Sequence, residues 1–494
     1  MNLSYDTPPE GTLRDWINYR AQGADIAFVF PEGEISLSWK DLRDEAAKIA
    51  RAITAQGIAK GESIAILQPN GREGVLAFYG AVYGGFRATM VNLAAGRDAI
   101  AYALDHCEAR IALVHDSVCD LFETARPKKM VRLSSFIEND VELHNVSASD
   151  HALLMYTSGT TGRPKGVVHT QSSLLAGGWT PTVAHRLTDQ DRALCVLPIC
   201  HINGLCVTVM GALVSGGSVA MAEKFSASRF WDQIKTYEAT WFSVVPTIIS
   251  HLLHNAANPD ENSKQRLRFG RSASSALAPD VQTAFETRFG LPIIETMGLT
   301  ETAAQILSNP LPPGNRKIGS PGIAFGNEVT ILAADLSECE TGVEGEIAVR
   351  GPNVMLEYLK NPEATQSTFH KDWLRTGDLG RKDADGYLFV TGRLKELIIK
   401  GGENIAPREI DEALYAHGDV VEAAAFARPC EIYGERVEAA VRVCEGSTLT
   451  AQDLIATCIE KLGQFKAPDH VHFLPELPKG PSGKIQRLKL QEIL

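Results

Sequence analysis

From about Gly61 to Ala193 the chain alternates short apolar runs with amphipathic stretches. SIAILQ reads as a strand, GREGVLAFYGAVYGG as a helix and ATMVNL as a strand. The pattern recurs in ALCVLP, then GLCVTVMGALVSG, then SVAMA. SASRFWDQIKTYEA reads as a helix with Phe230, Ile234 and Tyr237 on one face. WFSVV is the next strand, and PTIISHLLH a helix opened by Pro246 in its first turn. Strand–helix–strand order of this kind demands a parallel sheet, because parallel neighbours are joined by a crossover that lies on a sheet face. The expected class is α/β, with a large N-terminal domain of stacked mixed sheets and covering helices.

A chain of 494 residues exceeds what one hydrophobic core organises, so two or three domains are expected. After Asn309 the texture changes. Pro310, Pro312, Pro313 and Gly314 break helices, and EVTILA, GEIAVRG and GYLFVTG follow as short strands. These predict a β-rich subdomain over 310–392, inside a first domain of 1–392. A hinge is expected at 393–396 and a small mobile α+β domain over 397–494. In the latter, KELIIK, VEAAAFAR and RVEAAVRV read as strands, and PREIDEALYAH and LTAQDLIATCIEKL as helices. Its last part, PELPKGPSGKIQR, is a proline- and glycine-rich arm.

The net charge of −12 argues against general binding to nucleic acid or an anionic membrane, while leaving room for a local basic pocket. No apolar run reaches the roughly 20 residues that span a bilayer. The N-terminus has neither a basic region nor an apolar core of a secretory signal, and the terminal QEIL is not a peroxisomal address. The nine cysteines are scattered, several in apolar runs (Cys195, Cys206, Cys458), as in a reducing cytoplasm.

The run LLMYTSGTTGRPKGVVHT, from Leu153 to Thr170, is built to wrap a polyphosphate. Gly159, Gly162 and Gly166 let the backbone turn tightly and present N–H donors to anionic oxygens. Thr157, Ser158, Thr160 and Thr161 add hydroxyls, and Lys165 a positive charge. The common P-loop, G-x-x-x-x-G-K-[ST], is excluded, since Gly166 follows the lysine. Taken alone, the segment also reads as a solvated linker.

Three further motifs carry chemistry. ETMGLTET (Glu295–Thr302) follows the apolar LPII and places Thr300 and Glu301 where ligands bind, beyond a strand's carboxyl end. The same residues also suit a helix N-terminus. RTGDLGRKDADGYLFVTGRLKELIIKGG contains Asp378, Arg393, Lys395, Gly401 and Gly402, with a turn at Asp383–Gly386. PKGPSGKIQR sets Lys484 in a Ser-Gly-Lys turn.

Together these motifs resemble the signatures of the adenylate-forming superfamily of acyl- and aryl-CoA synthetases, luciferases and peptide-synthetase adenylation domains. The resemblance covers nearly the whole chain and implies ATP, Mg²⁺ and coenzyme A as cofactors. It makes Lys484, Thr300, His201 and Lys165 the catalytic candidates. The loop from Thr157 to Lys165 would hold the phosphates, with Glu301 and Thr157 toward the metal. Ser274 and Ser275, in GRSASSALAP, would line the adenine, together with Glu295, Thr296 and Met297. A thioether stands at Met297 where an aromatic ring is common, and it can pack on a purine. Asp378 would take the ribose hydroxyls, Arg393 would lie near ribose and phosphate, and Lys395 would be the hinge. Gly401 and Gly402 would line the thiol tunnel. His201, in PICHINGL, would separate the acyl site from that tunnel, or is simply a hydrogen-bonded core histidine.

The chain is similar in flavour to the oxalyl-CoA synthetase branch. Asn203 stands where that branch typically has a second histidine, and an amide only hydrogen-bonds. A neutral small or medium acid therefore fits as readily as oxalate. The resemblance implies an ATP-dependent carboxylic acid–CoA ligase that is cytoplasmic, with a small-molecule acid as partner and a homodimer left open. A stand-alone adenylation enzyme that loads a carrier protein is the alternative.

Overall fold

A computed structural model of the chain describes residues 3–33, 35–118, 129–137, 139–157, 164–480 and 484–494. Among them four sheets form. A seven-stranded sheet is parallel from His151–Tyr156 through Arg87–Met90, Ser63–Leu67 and Ile111–Val114 to Met130–Val131. A nine-stranded sheet is parallel from Ile293–Leu299 through Phe269–Ser272, Trp241–Val244, Arg192–Cys195 and Ser218–Met221 to Ile26–Phe30. Antiparallel strands close both edges of the nine-stranded sheet.

One core cluster joins the two sheets. It contains Phe28, Val219 and Met221 from one, Ile64, Ala88 and Leu153 from the other. The helices Arg72–Gly84 and Gln171–His185 lie in this layer and are buried on nearly every side. Neither carries a polar solvent face: Arg72–Gly84 is apolar beyond its first turn, and Gln171–His185 buries Thr180, Thr182 and His185 along with its apolar residues. GLCVTVMGALVSG is helical but begins as a π-helix over Asn203–Met210 before tightening over Gly211–Ser215. The helix expected in SASRFWDQIKTYEA is shorter, Phe230–Thr236. The backbone before it is held in a turn by Arg229 N–H to Ser226 C=O, and the helix closes at Tyr237, whose N–H donates to Gln233 C=O at 3.0 Å.

The β-rich part is a five-stranded sheet that includes Gly345–Arg350, Trp373–Lys382 and Leu388–Arg393. Within the same stretch of chain, Glu357–Tyr358 leaves that sheet and pairs with Gly166–Thr170 of the first one. The last sheet is built on the long antiparallel pair Val420–Cys430 and Gly434–Val443, with His470–Phe473 added in parallel. It packs on the helices Pro407–Tyr415 and Ala451–Leu462 in a core of its own. The arm ends in a short helix, Arg487–Ile493. This unit is docked on the rest of the chain. Ser250 Oγ donates to Val421 C=O at 2.6 Å, His251 Nε2 lies 3.2 Å from Glu422 Oε1, and Arg408 Nη2 donates to Gly319 C=O at 3.3 Å. No helix among the described residues is long and apolar enough to cross a membrane.

Candidate active site

The strands His151–Tyr156 and Gly166–Thr170 form a hairpin, with Tyr156 opposite Gly166. Thr157 N–H donates to Lys165 C=O at 2.9 Å, so the base of the glycine-rich loop is drawn shut. Ser158, Gly159, Thr160, Thr161 and Gly162 lie outside the described residues. Lys165 folds back, its Nζ 4.1 Å from the centre of the Tyr358 ring. Burial pulls the Lys165 ammonium below the usual lysine range; Glu301 opposes that shift and Lys395 adds to it. Glu301 and Lys395 thus both lie within electrostatic reach of Lys165.

Thr300 and Glu301 begin a single 3₁₀ turn at the end of Ile293–Leu299. The strand must approach its partner closely here. A Cβ on Gly298 would meet Ala304 C=O at 1.7 Å, so no side chain is tolerated. The turn is held from three sides. His169 Nε2 donates to Thr300 C=O at 2.7 Å, Met355 N–H to Glu301 C=O at 2.8 Å, and Asn353 Nδ2 to Thr302 C=O at 2.8 Å. Burial lowers the His169 imidazole to about 4, and the carbonyl fixes its proton on Nε2. Tyr358 donates to Glu301 Oε1 at 2.7 Å. Glu301 Oε2 takes no bond from a described residue. A half-buried carboxylate with one oxygen free is the hard donor that a divalent cation such as Mg²⁺ uses.

On the nucleotide side, Ser274 is exposed and in the left-handed region at φ 76°. Its Oγ accepts from Asn203 Nδ2 at 3.3 Å, and Ser275 is half-buried beside it. Glu295 is buried, accepting Leu277 N–H at 3.1 Å on Oε1, while Oε2 has no partner among the described residues. Burial raises its carboxyl above the usual range. Thr296 is turned into the sheet, donating to Ser272 C=O at 3.2 Å, and Met297 is half-buried on the opposite side of the strand.

Asp378 and Arg393 face each other across two antiparallel strands, with Asp378 Oδ1 3.1 Å from Arg393 Nε. Lys484, on the C-terminal arm, lies within electrostatic reach of both. Burial raises the Asp378 carboxyl, against the pull of Arg393 and Lys484. Burial lowers the Lys484 ammonium, against Glu396 and Asp378. The arm is fixed by Arg487, whose Nε is 3.4 Å from Glu396 Oε2 and whose Nη2 pairs with Asp411. Lys395 is exposed at the junction. Gly401 and Gly402 form the exposed tip of a two-residue hairpin between Ile398–Lys400 and Glu403–Ile405. Their φ values of 60° and 87° suit a turn in which both central residues are left-handed.

His201 follows the segment that Asn70 pins by accepting Ile199 N–H at 2.9 Å and donating to Leu197 C=O at 2.9 Å. Its Nε2 is buried without a partner among the described residues, and burial lowers its imidazole to about 4. Of its two readings, a histidine satisfied by hydrogen bonds is the one its ring does not fit. The structure therefore gathers two clusters, Lys165–Glu301–Tyr358–Lys395 and Asp378–Arg393–Glu396–Lys484. Tyr358 and His169 were not legible as site residues. Each owes its place to pairing with a distant segment, and no local motif marks either.

The chain belongs to the AMP-binding enzyme family: that family's model matches residues 16–359, and the model of the AMP-binding enzyme C-terminal domain matches 409–484. It is an acid–thiol ligase of the acyl-CoA synthetase kind, which forms an acyl-adenylate from ATP and then the CoA thioester. The chain is 43% identical to the sulfoacetate–CoA ligase of Cupriavidus necator, over 99% of both chains. It is 36% identical to the oxalate–CoA ligase of Arabidopsis thaliana, over 94% of this chain and 96% of that one. Among solved structures it resembles ATP-bound MatB from Rhodopseudomonas palustris, with a TM-score of 0.89 at 28% identity over 97% and 98% of the chains. Against the apo form of the same protein the TM-score is 0.78. The carrier-protein alternative is not favoured by these relatives.

Proposed function

We propose that the chain joins a small carboxylic acid to coenzyme A in two half-reactions carried out by one set of residues in two domain arrangements. The observation that carries this reading is the Asp378–Arg393 pair, with Lys484 of the C-terminal arm within electrostatic reach of both. In that arrangement the first half-reaction is served. A carboxylate oxygen of the acid bonds to the α-phosphorus of ATP, the bond from that phosphorus to the bridging oxygen breaks, and pyrophosphate leaves. Both reactants are anionic, and charge gathers on the phosphoryl oxygens. An ammonium placed between them offsets the repulsion and stabilises that charge, an effect of roughly 3–4 kcal/mol for one such donor. Lys484 takes that role. Lys165 and the loop from Thr157 hold the departing phosphates, Thr300 contacts phosphate, and Asp378 accepts the ribose hydroxyls, with Arg393 beside it. The adenine lies between the Ser274–Ser275 loop and Met297, over the backbone of Glu295 and Thr296. Mg²⁺ would be held by Glu301 with Thr157 nearby, and would neutralise phosphate charge.

For the second half-reaction the chain divides at 393–396, with 1–392 on one side and 397–494 on the other. Rotation about Lys395 withdraws Lys484 and brings Gly401 and Gly402 in to line the thiol's approach. The CoA sulfur bonds to the acyl carbon and AMP leaves. His201 separates the acyl compartment from that path. Closure also shields the mixed anhydride from water.

The test is pyrophosphate release across a panel of carboxylic acids, with and without CoA, alongside thioester detection. Acid-dependent release with a CoA thioester as product is expected. Release with no thioester would sink the second half of the reading.

A further inference from the structure

Arg271 lies near the centre of the nine-stranded sheet, on the strand Phe269–Ser272, and is 1% exposed. Its guanidinium meets only neutral groups. Nε donates to Gln305 Oε1 at 3.3 Å, and Nη1 donates to Asn203 Oδ1 at 2.9 Å and to Ser243 Oγ at 3.0 Å. Nη2 donates to none of the described residues, and no carboxylate among them pairs with the side chain. A buried arginine is ordinarily paired, because removing a cation from water is strongly unfavourable unless an anion compensates it. Burial lowers this guanidinium to about 9, which still leaves it charged at neutral pH.

The position of this unpaired charge is informative. Asn203 links it to the nucleotide side, since the amide that accepts from Arg271 donates to Ser274 Oγ at 3.3 Å. Asn203 also opens the π-helix that follows His201, whose buried Nε2 is likewise unpartnered among the described residues. A cation without a countercharge and a neutral imidazole nitrogen without a partner, both among the described residues, thus flank one segment. This is the segment assigned above to the acyl compartment.

Resting on the ligase reading, we propose that Arg271 is the specificity-determining residue of that compartment and that the acid carries a second anionic group, carboxylate or sulfonate, received by Nη2. An anion supplies the missing countercharge, and the planar guanidinium suits its paired oxygens. A neutral acid leaves the charge buried and uncompensated. This also reassigns the role of Asn203. Its amide lacks the charge of an imidazolium, but its oxygen helps to orient a cation that has it.

The experiment compares acids matched in size and differing in distal charge. Malonate and sulfoacetate are set against malonamate and propionate, reading kcat/KM for pyrophosphate release and for CoA thioester in the full-length enzyme. The wild type is expected to favour the dianionic acids by at least about 100-fold, as a pocket that leaves a buried charge unpaired does. In Arg271→Gln that ratio should fall by about 100-fold, and Arg271→Lys should retain more of it than Gln does. An unchanged ratio in Arg271→Gln, with both acids equally impaired, would overturn the proposal. Should Arg271→Gln not fold, the wild-type ratio still decides. Turnover confined to the monoanionic acids overturns the role of Arg271 and leaves the ligase standing. No acid-dependent release with any acid overturns the ligase reading itself, and this inference with it.

Discussion

Tyr358 donates its hydroxyl to Glu301 Oε1 at 2.7 Å, and the face of the same ring lies 4.1 Å from Lys165 Nζ. One phenol thereby fixes the distance between a cation on the glycine-rich loop and a carboxylate on the 3₁₀ turn. The ring reaches this place because Glu357–Tyr358 pairs with Val168 and Val167 instead of joining the β-rich sheet.

Tyr358→Phe keeps the ring under Lys165 and removes only the bond to Glu301. A hydrogen bond to a charged group contributes about 1.5–3 kcal/mol, so the KM for ATP should rise by about tenfold or more. Tyr358→Ala also removes the cation–π contact, and its loss should be larger. Steady-state kinetics at varied ATP and Mg²⁺ read both. An unchanged KM in both variants would remove Tyr358 from the phosphate site.

Lys484→Ala should abolish adenylate formation, measured as acid-dependent pyrophosphate release. Thioester formation from supplied acyl-AMP should remain largely intact, since the ammonium is withdrawn in the second arrangement. Survival of both half-reactions would show that another group performs the charge stabilisation.

Lys395→Pro should do the reverse. Leu394 N–H donates to Gly377 C=O at 2.9 Å and Glu396 N–H to Arg393 C=O at 2.9 Å, whereas the exposed Lys395 lies between these two anchors. A proline there holds φ near about −65° and stiffens the junction. The docked arrangement, with Lys484 beside Asp378, should then persist, so adenylate accumulates and the thioester does not form. Rapid-quench analysis of acyl-AMP and acyl-CoA separates the two. Equal damage to both steps would count against rotation.

Much of this organisation was legible because it is local. The parallel core follows from alternating strand and helix runs, and one motif holds both Asp378 and Arg393 with the turn at Asp383–Gly386 between them, where Gly386 has φ 85°; that the two side chains pair is seen only in the structure. The rest depends on contacts between segments far apart in the chain. Nothing near Tyr358 marks it as leaving its sheet, and nothing near His169 says that its ring caps Thr300. Arg271 sits in a strand of otherwise ordinary pattern, and its meaning lies in which acceptors surround it. The helix Arg72–Gly84 is expected to be amphipathic, yet it is buried on nearly every side because the core it lies in is shared by two sheets.

The docking of the last sheet is sensitive to acid through Glu422. Its side chain is fully buried and is met by His251 Nε2 at 3.2 Å, Lys479 Nζ at 2.8 Å and Arg442 Nη1 at 3.6 Å, with Glu476 sharing Lys479. Burial alone would raise this carboxyl; the bonds from His251 and Lys479 outweigh it and hold the group at about 2. A depressed carboxylate stabilises the folded state above its unfolded pKa, near 4.5. That contribution, on the order of 3 kcal/mol, is lost as pH falls from there toward about 2. Glu422→Gln removes it at every pH. The gap in urea midpoint between wild type and Glu422→Gln should therefore be full at pH 7 and narrow once pH drops below about 4.5. A gap that stays constant down to pH 3.5 would mean that Glu422 contributes by packing and not by charge.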